Sequence, residues 1–176
     1  MCGIIAVLSR PETRAVPAAN ALLATADGVL KQLPTGMTTL PADEQLRAWA
    51  AAMTGIDTAL RGDAGVWLMA GNREFISALS IRLDQLDSWL LSVEALLERS
   101  TGVAAASLEQ SSNLVTALRD ASWSLRKDRI RTALAVDGLA GAGASRSALS
   151  AYLSIQQAFS ALDRLEVRGQ IGRAHV

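Results

Sequence analysis

A mainly α fold, with antiparallel amphipathic helices behind one N-terminal strand, is what this sequence predicts, on three observations. Apolar residues recur at alternating steps of three and four over long stretches, most clearly at Ile76, Leu79, Leu83, Leu86, Leu90, Val93 and Leu97. Residues that start and stop helices bracket those stretches. The run taken as a strand, Ile4 to Leu8, stands at the very start and ends where Ser9-Arg10-Pro11 denies a ladder its next donor.

Pro17 suits the first turn of a helix that carries Leu22, Leu23, Ala26, Val29, Leu30 and Leu33 on one broad face and closes at Pro34-Thr35-Gly36. A second helix starts near Pro41-Ala42-Asp43-Glu44, with acidic residues where the macrodipole favours them, and presents Leu46, Trp49, Met53, Ile56 and Leu60. Gly62-Asp63-Ala64-Gly65 reads as a loop, and Val66-Trp67-Leu68-Met69 as either a short helix or a buried connector. The long helix of the opening pattern begins near Asn72 and ends at Ser100-Thr101-Gly102. Ser107-Leu108-Glu109-Gln110 has the form of a capping box, opening a helix through Leu114, Leu118, Ala121 and Leu125 toward Ile130 and Leu134. Gly138, Gly141 and Gly143 make a small-residue linker, and a last helix runs from about Ser145 through Leu149, Tyr152, Ile155, Phe159, Leu162 and Leu165 to Gly169. Amphipathic segments joined by short connections must bury their faces on one another, hence antiparallel hairpins.

Composition narrows the function classes. Half of the 176 residues are apolar, enough for a real core, and 17 basic residues balance 17 acidic ones. That balance gives no field to recruit nucleic acid or an anionic membrane. No run of about 18 apolar residues suggests a membrane span, and no secretory signal precedes Ser9. One cysteine and one histidine cannot form a disulfide framework or a His/Cys zinc site within the chain. The expectation is a cytoplasmic protein with no metal and no cofactor, and a homo-oligomer is compatible with it. The tryptophans at 49, 67, 89 and 123 read as core residues whose indole N–H finds a partner. The mixed-sign stretch Arg126-Lys127-Asp128-Arg129-Ile130-Arg131 reads as a solvated helix face rather than an anion site. The Gly-rich linker lacks the spacing and terminal Lys of a phosphate loop.

Chemistry concentrates at the start. Removal of Met1 leaves Cys2 with both a thiol and a free α-amine. With reference pKa values of about 8.5 and about 7.7–8.0, the amine can act as base for the sulfur at neutral pH without a histidine. Gly3 admits close approach of a substrate. The plain alternative is a small buried cysteine.

At the far end the chain reads Leu165-Glu166-Val167-Arg168-Gly169. Set beside Cys2-Gly3-Ile4-Ile5, this resembles the glutaminase domain of class II, N-terminal-nucleophile glutamine amidotransferases, and most closely that of the isomerising glutamine:fructose-6-phosphate aminotransferases. The likeness covers residues 2 to 8 and about 155 to 169, with Val167 where the family carries an aromatic residue. It implies an α+β sandwich for the parent, with 1–9 its first strand and 144–169 the returning helix with an Arg-Gly turn; the family joins these two by a short connection, so 10–143 departs from it and reads as a helical insertion whose role the resemblance does not carry. It also implies that Cys2 attacks the carboxamide of glutamine, forming a γ-glutamyl thioester that water cleaves, and that the ammonia passes to a sugar phosphate. Arg168 and Gly169 would then support the substrate pocket. A plain helix end, with a cation on the C-terminal dipole and Gly at C′, accounts for the same pair.

After Gly169 the family continues Asp-Ser-Ala-Gly, whereas this chain reads Gln170-Ile171-Gly172-Arg173-Ala174-His175-Val176. The last six residues are what ATC GGA AGA GCA CAC GTC encodes, a frame of a common sequencing adapter, so 170–176 is expected to be a non-native tail and His175 an accident of translation. The family's oxyanion-hole and glutamine-carboxylate residues would lie beyond position 169, which makes the piece itself catalytically silent. The competing class is a helical interaction module without chemistry.

Overall fold

The computed structural model describes residue 7, residues 10–99 and residues 105–171. Their secondary structure is helical, and no strand occurs among the described residues. The expected strand falls on residues 1–9, of which only Val7 lies among them.

Helix α1 (Ala19–Leu30) follows Pro17 by one cap residue, and α2 (Asp43–Ala59) starts with Asp43 and Glu44 in its first turn. The Gln45 side chain turns back to accept from the Ala42 N–H at 3.3 Å. The segment expected as a loop is instead the start of α3 (Gly62–Met69), which decides Val66–Met69 as helix. Two glycines make this abrupt restart feasible. Gly62 takes φ +66°, and a Cβ on Gly65 would sit 2.0 Å from the Leu60 carbonyl oxygen. Only a residue without a side chain lets α3 press onto the end of α2. Helix α4 (Arg73–Arg99) is capped by Asn72, whose Oδ1 accepts from the Phe75 N–H at 3.2 Å.

Helix α5 (Ala105–Ser124) begins two residues before Ser107, so that serine lies inside the helix and the expected capping box does not set its start. A π-helical turn (Leu125–Ile130) then leads directly into α6 (Arg131–Ala140). The buried positions report it: Val115, Leu118, Ala121 and Leu125 keep the three-four rhythm, and a five-residue step reaches Ile130 before Ala133 and Val136 resume it. Gly138 stays helical, and the break comes at Gly141 (φ +80°) and Gly143 (φ +75°). Helix α7 (Arg146–Ile171) is capped by Ser145, whose Oγ accepts from the Ala148 N–H at 3.3 Å. Its backbone remains helical through Arg168 and Gly169, two residues beyond the expected turn. A glycine inside a helix costs about 1 kcal/mol but does not by itself end one.

Four helices, in the cyclic order α1, α2, α5, α4, surround the main core. Asp43–Ser111 and Asp57–Ser124 contacts show α2 and α5 side by side in the same direction. Asp84–Arg126 and Glu94–Arg119 pairs show α4 antiparallel to α5. Leu46, Leu79, Leu83, Leu86, Leu118 and Leu125 are at most 1% exposed. Each such side chain removed from water contributes about 1.5–3 kcal/mol before entropy is counted. A second, smaller core joins α3, α6 and α7 through Val66, Val136, Leu149 and Leu153, with Trp67 and Tyr152 at its edge.

Candidate functional site

Cys2 lies outside the described residues, as do His175 and the rest of 172–176. Arg168 and Gly169 are placed as helical backbone of α7. What the structure does place are the contacts of residues 12–14 and of the start of α7 with α3 and its cap.

The entry segment crosses the α2–α3 corner. Glu12 and Arg14 form an ion pair at 2.7 Å, and the Arg14 backbone N–H donates to the same carboxylate at 2.9 Å. These bonds from Arg14 hold the Glu12 carboxyl down at about 2, and the Ala64 backbone N–H adds to the effect. The Arg14 guanidinium also donates to the carbonyl oxygens of Thr58, at 3.2 Å, and of Arg61. The exit segment lies on the same short helix. Trp67 Nε1 donates to the Arg146 carbonyl at 3.1 Å, with the Arg146 guanidinium over the indole ring at 5.2 Å. Leu149 and Leu153 pack with Val66. The two sets of contacts stand at opposite ends of α3, whose eight residues span about 12 Å.

Beside this corner sits Asp57, 2% exposed. Arg129 Nε and the Ser124 hydroxyl donate to its Oδ1 at 2.9 and 2.8 Å, and Arg61 donates to Oδ2 at 2.7 and 3.1 Å. Burial alone would raise this carboxyl; the guanidiniums of Arg129 and Arg61 and the Ser124 hydroxyl outweigh it and hold the group below the ordinary aspartate range. Both oxygens are occupied by donors, so Asp57 serves as an ionised structural anchor with no lone pair directed at a substrate. Arg126 is likewise engaged, by Asp84 at 2.8 Å and Asp87 at 2.9 Å. The stretch expected as a solvated face is therefore divided: Lys127 and Arg131 are exposed, while Arg126 and Arg129 fasten the π-helical turn to α4 and α2.

Three tryptophans have the expected core character. Trp49 and Trp89 meet edge to face at 5.5 Å, and Trp89 donates to the Pro34 carbonyl at 3.2 Å. Trp67 has the partner named above, and Trp123 is exposed. A cleft of about 600 Å³ opens between the start of α2, the end of α4 and the start of α5, lined by Thr38, Pro41, Asp43, Arg99 and Ser111. Its buried serine, Ser111, donates to the half-buried Asp43 at 2.7 Å and is already satisfied internally. No group of three or more His, Cys, Asp or Glu side chains suited to a metal occurs among the described residues, and no helix among them is long and apolar enough to cross a membrane.

Sequence reasoning passed over Asp57, Arg61, Ser124 and the Glu12–Arg14 pair. The signals were present: Asp57 and Arg61 stand four apart on one helix, and the five-residue step from Leu125 to Ile130 marks the turn that brings Arg129 inward. Compared with known proteins, the chain matches no family model, no curated protein and no solved structure.

Proposed function

We propose that this chain is the N-terminal piece of a glutamine-hydrolysing amidotransferase, with Cys2 as the nucleophile and residues 10–143 as a helical insertion. The reading rests on Cys2-Gly3-Ile4-Ile5 and Leu165-Glu166-Val167-Arg168-Gly169 standing in the family's order at the two ends. The observation that supports it best is that residues 12–14 and the start of α7 both contact the short helix α3 or its cap, at opposite ends. An insertion between a strand and the helix that follows it must return the chain close to where it left, and domain insertions have this property. The outer ridge of α7 adds support: Ile155, Phe159 and Leu162 are 45%, 55% and 49% exposed at steps of four and three. An α+β sandwich of the kind the resemblance implies would cover such a ridge.

In that parent, the Cys2 thiolate attacks the glutamine carboxamide, ammonia leaves as the γ-glutamyl thioester forms, and water then releases glutamate. The terminal amine relays the proton. The ammonia acceptor is proposed to be a sugar phosphate, fructose 6-phosphate being the best fit to the Arg-Gly segment, and the site is a cytoplasmic one without metal or cofactor. Source DNA read beyond the codon for Gly169 tests the reading: codons for Asp-Ser-Ala-Gly or a close variant are expected. A genomic sequence that runs through Gln170 to Val176 and then stops would remove its main support and favour a helical interaction module. In the complete protein, Cys2→Ala or one extra residue before Cys2 abolishes glutaminase turnover.

A further inference from the structure

The π-helical turn makes two sets of polar contacts, and they follow different periods. Toward α4, Ser122 and Arg126 stand four apart and both reach Asp87, the hydroxyl donating to Oδ1 at 2.6 Å and Arg126 Nε to Oδ2 at 2.9 Å. Residues four apart lie about 40° from each other around an α-helix, so ordinary helix geometry serves this side. Toward α2, Ser124 and Arg129 stand five apart, yet both donate to one atom, Asp57 Oδ1, at 2.8 and 2.9 Å. On an α-helix such residues lie about 140° apart and point to different sides. The shared contact requires the wider turn, in which the Arg131 N–H reaches back five residues to the Arg126 carbonyl. In an α-helix the place below Ser124 belongs to Asp128, already 3.5 Å from the serine hydroxyl, and a second carboxylate would then face Asp57. Two adjacent residues of opposite charge, Asp128 and Arg129, mark the two registers. The register also decides where α6 faces. Without the extra residue α6 turns by about 100°, which carries Val136 away from Val66, Leu149 and Leu153, the residues it is fully buried among.

We propose that the π-helical turn is a register clamp: the Asp57 carboxylate, by bridging Ser124 and Arg129, holds one extra residue in the continuous α5–α6 rod and so turns α6 toward α3 and α7. The clamp couples the two cores. Releasing Asp57 drops the turn into the α register, swings α6 and undocks the first turns of α7, while the packing of α4 on α5 stays. All of these residues lie between positions 57 and 153, so the clamp stands whether or not Cys2 is a nucleophile.

Nuclear magnetic resonance of the whole chain distinguishes the registers. A through-hydrogen-bond coupling joins the Arg131 nitrogen to the Arg126 carbonyl carbon in the π register and to that of Lys127 in the α register, and Val136 methyl contacts with Leu149 and Leu153 report where α6 faces. Exchanging the marker charges, Asp128→Arg with Arg129→Asp, keeps composition and net charge; the coupling is expected to move to Lys127 and the Val136 contacts to disappear. Deleting the exposed Lys127 removes the extra residue itself, so the Arg131–Arg126 coupling and the Val136 contacts are both expected to survive, now within a plain α-helix. Asp57→Ala takes away the shared acceptor. It should speed exchange of the Arg131 amide about tenfold relative to that of Leu118, and leave this ratio unchanged in the deletion background. Taking Leu118 as reference cancels any loss of global stability. A swapped chain that keeps the Arg126 coupling and the Val136 contacts would overturn the clamp, as would equal acceleration at Arg131 and Leu118 in Asp57→Ala. A folded deletion variant without the Val136 contacts would overturn the one-residue register. Should the swapped chain fail to fold, the exchange ratio in Asp57→Ala, with and without Lys127, decides.

Discussion

The core between α1, α2, α4 and α5 buries eight leucines to within 1% of complete exclusion from water, whereas the core between α3, α6 and α7 rests on Val66, Val136, Leu149 and Leu153, the last two still 7% and 4% exposed. The larger core is enclosed by its own helices. The smaller one is a joint, and α7 leaves it with an apolar ridge uncovered from Ile155 to Leu162. Local stability follows buried contact, so the joint opens at a lower free energy than the bundle does. The bundle is the more enclosed of the two, and the joint carries the contacts of α7 with α3 and α6.

The sharpest way to break this contrast is Leu83→Ala. Leu83 is completely buried, and a Leu→Ala change at such a site costs about 3–5 kcal/mol. Denaturant unfolding should show the loss as a shift of the bundle's transition to lower denaturant. Next comes Asp57→Asn, which leaves Arg129, 19% exposed, without its carboxylate. Removing one partner of a buried pair costs about 3 kcal/mol, carried mainly by Arg129, because Arg61 is more than half exposed and screened by water. Asp57 has its folded pKa depressed, so its stabilisation is fully present above the ordinary aspartate range near 4 and is lost as the pH falls through the folded value. The wild-type chain should therefore lose stability steeply below about pH 4. The asparagine variant starts lower and shows a flatter acid limb in pH-dependent melts.

Leu153→Ala sharpens the comparison from the other side. It removes a smaller core contact, at about 2 kcal/mol, and near-ultraviolet signals of Trp67 should change while those of the Trp49–Trp89 pair stay. The smallest effect belongs to Phe159→Ser on the exposed ridge, within about 0.5 kcal/mol in this chain; a larger loss would mean that the ridge is already covered.

The two regions also differ in how far they could be read from sequence. The faces of α2 and α4 were fully legible, because Leu46, Trp49, Met53, Ile56 and the series from Ile76 to Val93 follow one period, and long periodic segments leave little choice of burial. Helix α3 was hidden by its glycines. Gly62 and Gly65 read as a loop signal, yet they are there for a positive φ and a 2.0 Å approach to Leu60, demands that arise only when α3 meets α2. Ser107 misled for a related reason: a capping box is a local signal, and α5 begins two residues ahead of it. The five-residue step at Leu125 was visible in the sequence, but its purpose, turning Arg126 and Arg129 toward carboxylates on other helices, was not. Cys2 and Arg168 were legible as residue types, whereas the contacts of Arg14 with the Thr58 and Arg61 carbonyls need tertiary structure to be seen.

Native-state hydrogen exchange followed along the whole chain tests the account most directly. Two steps are expected, with the amides of α3 and the first turns of α7 opening together at low denaturant while those of α4 and α5 persist to the global transition. Exchange of α7 in a single step with α4 and α5 would contradict it.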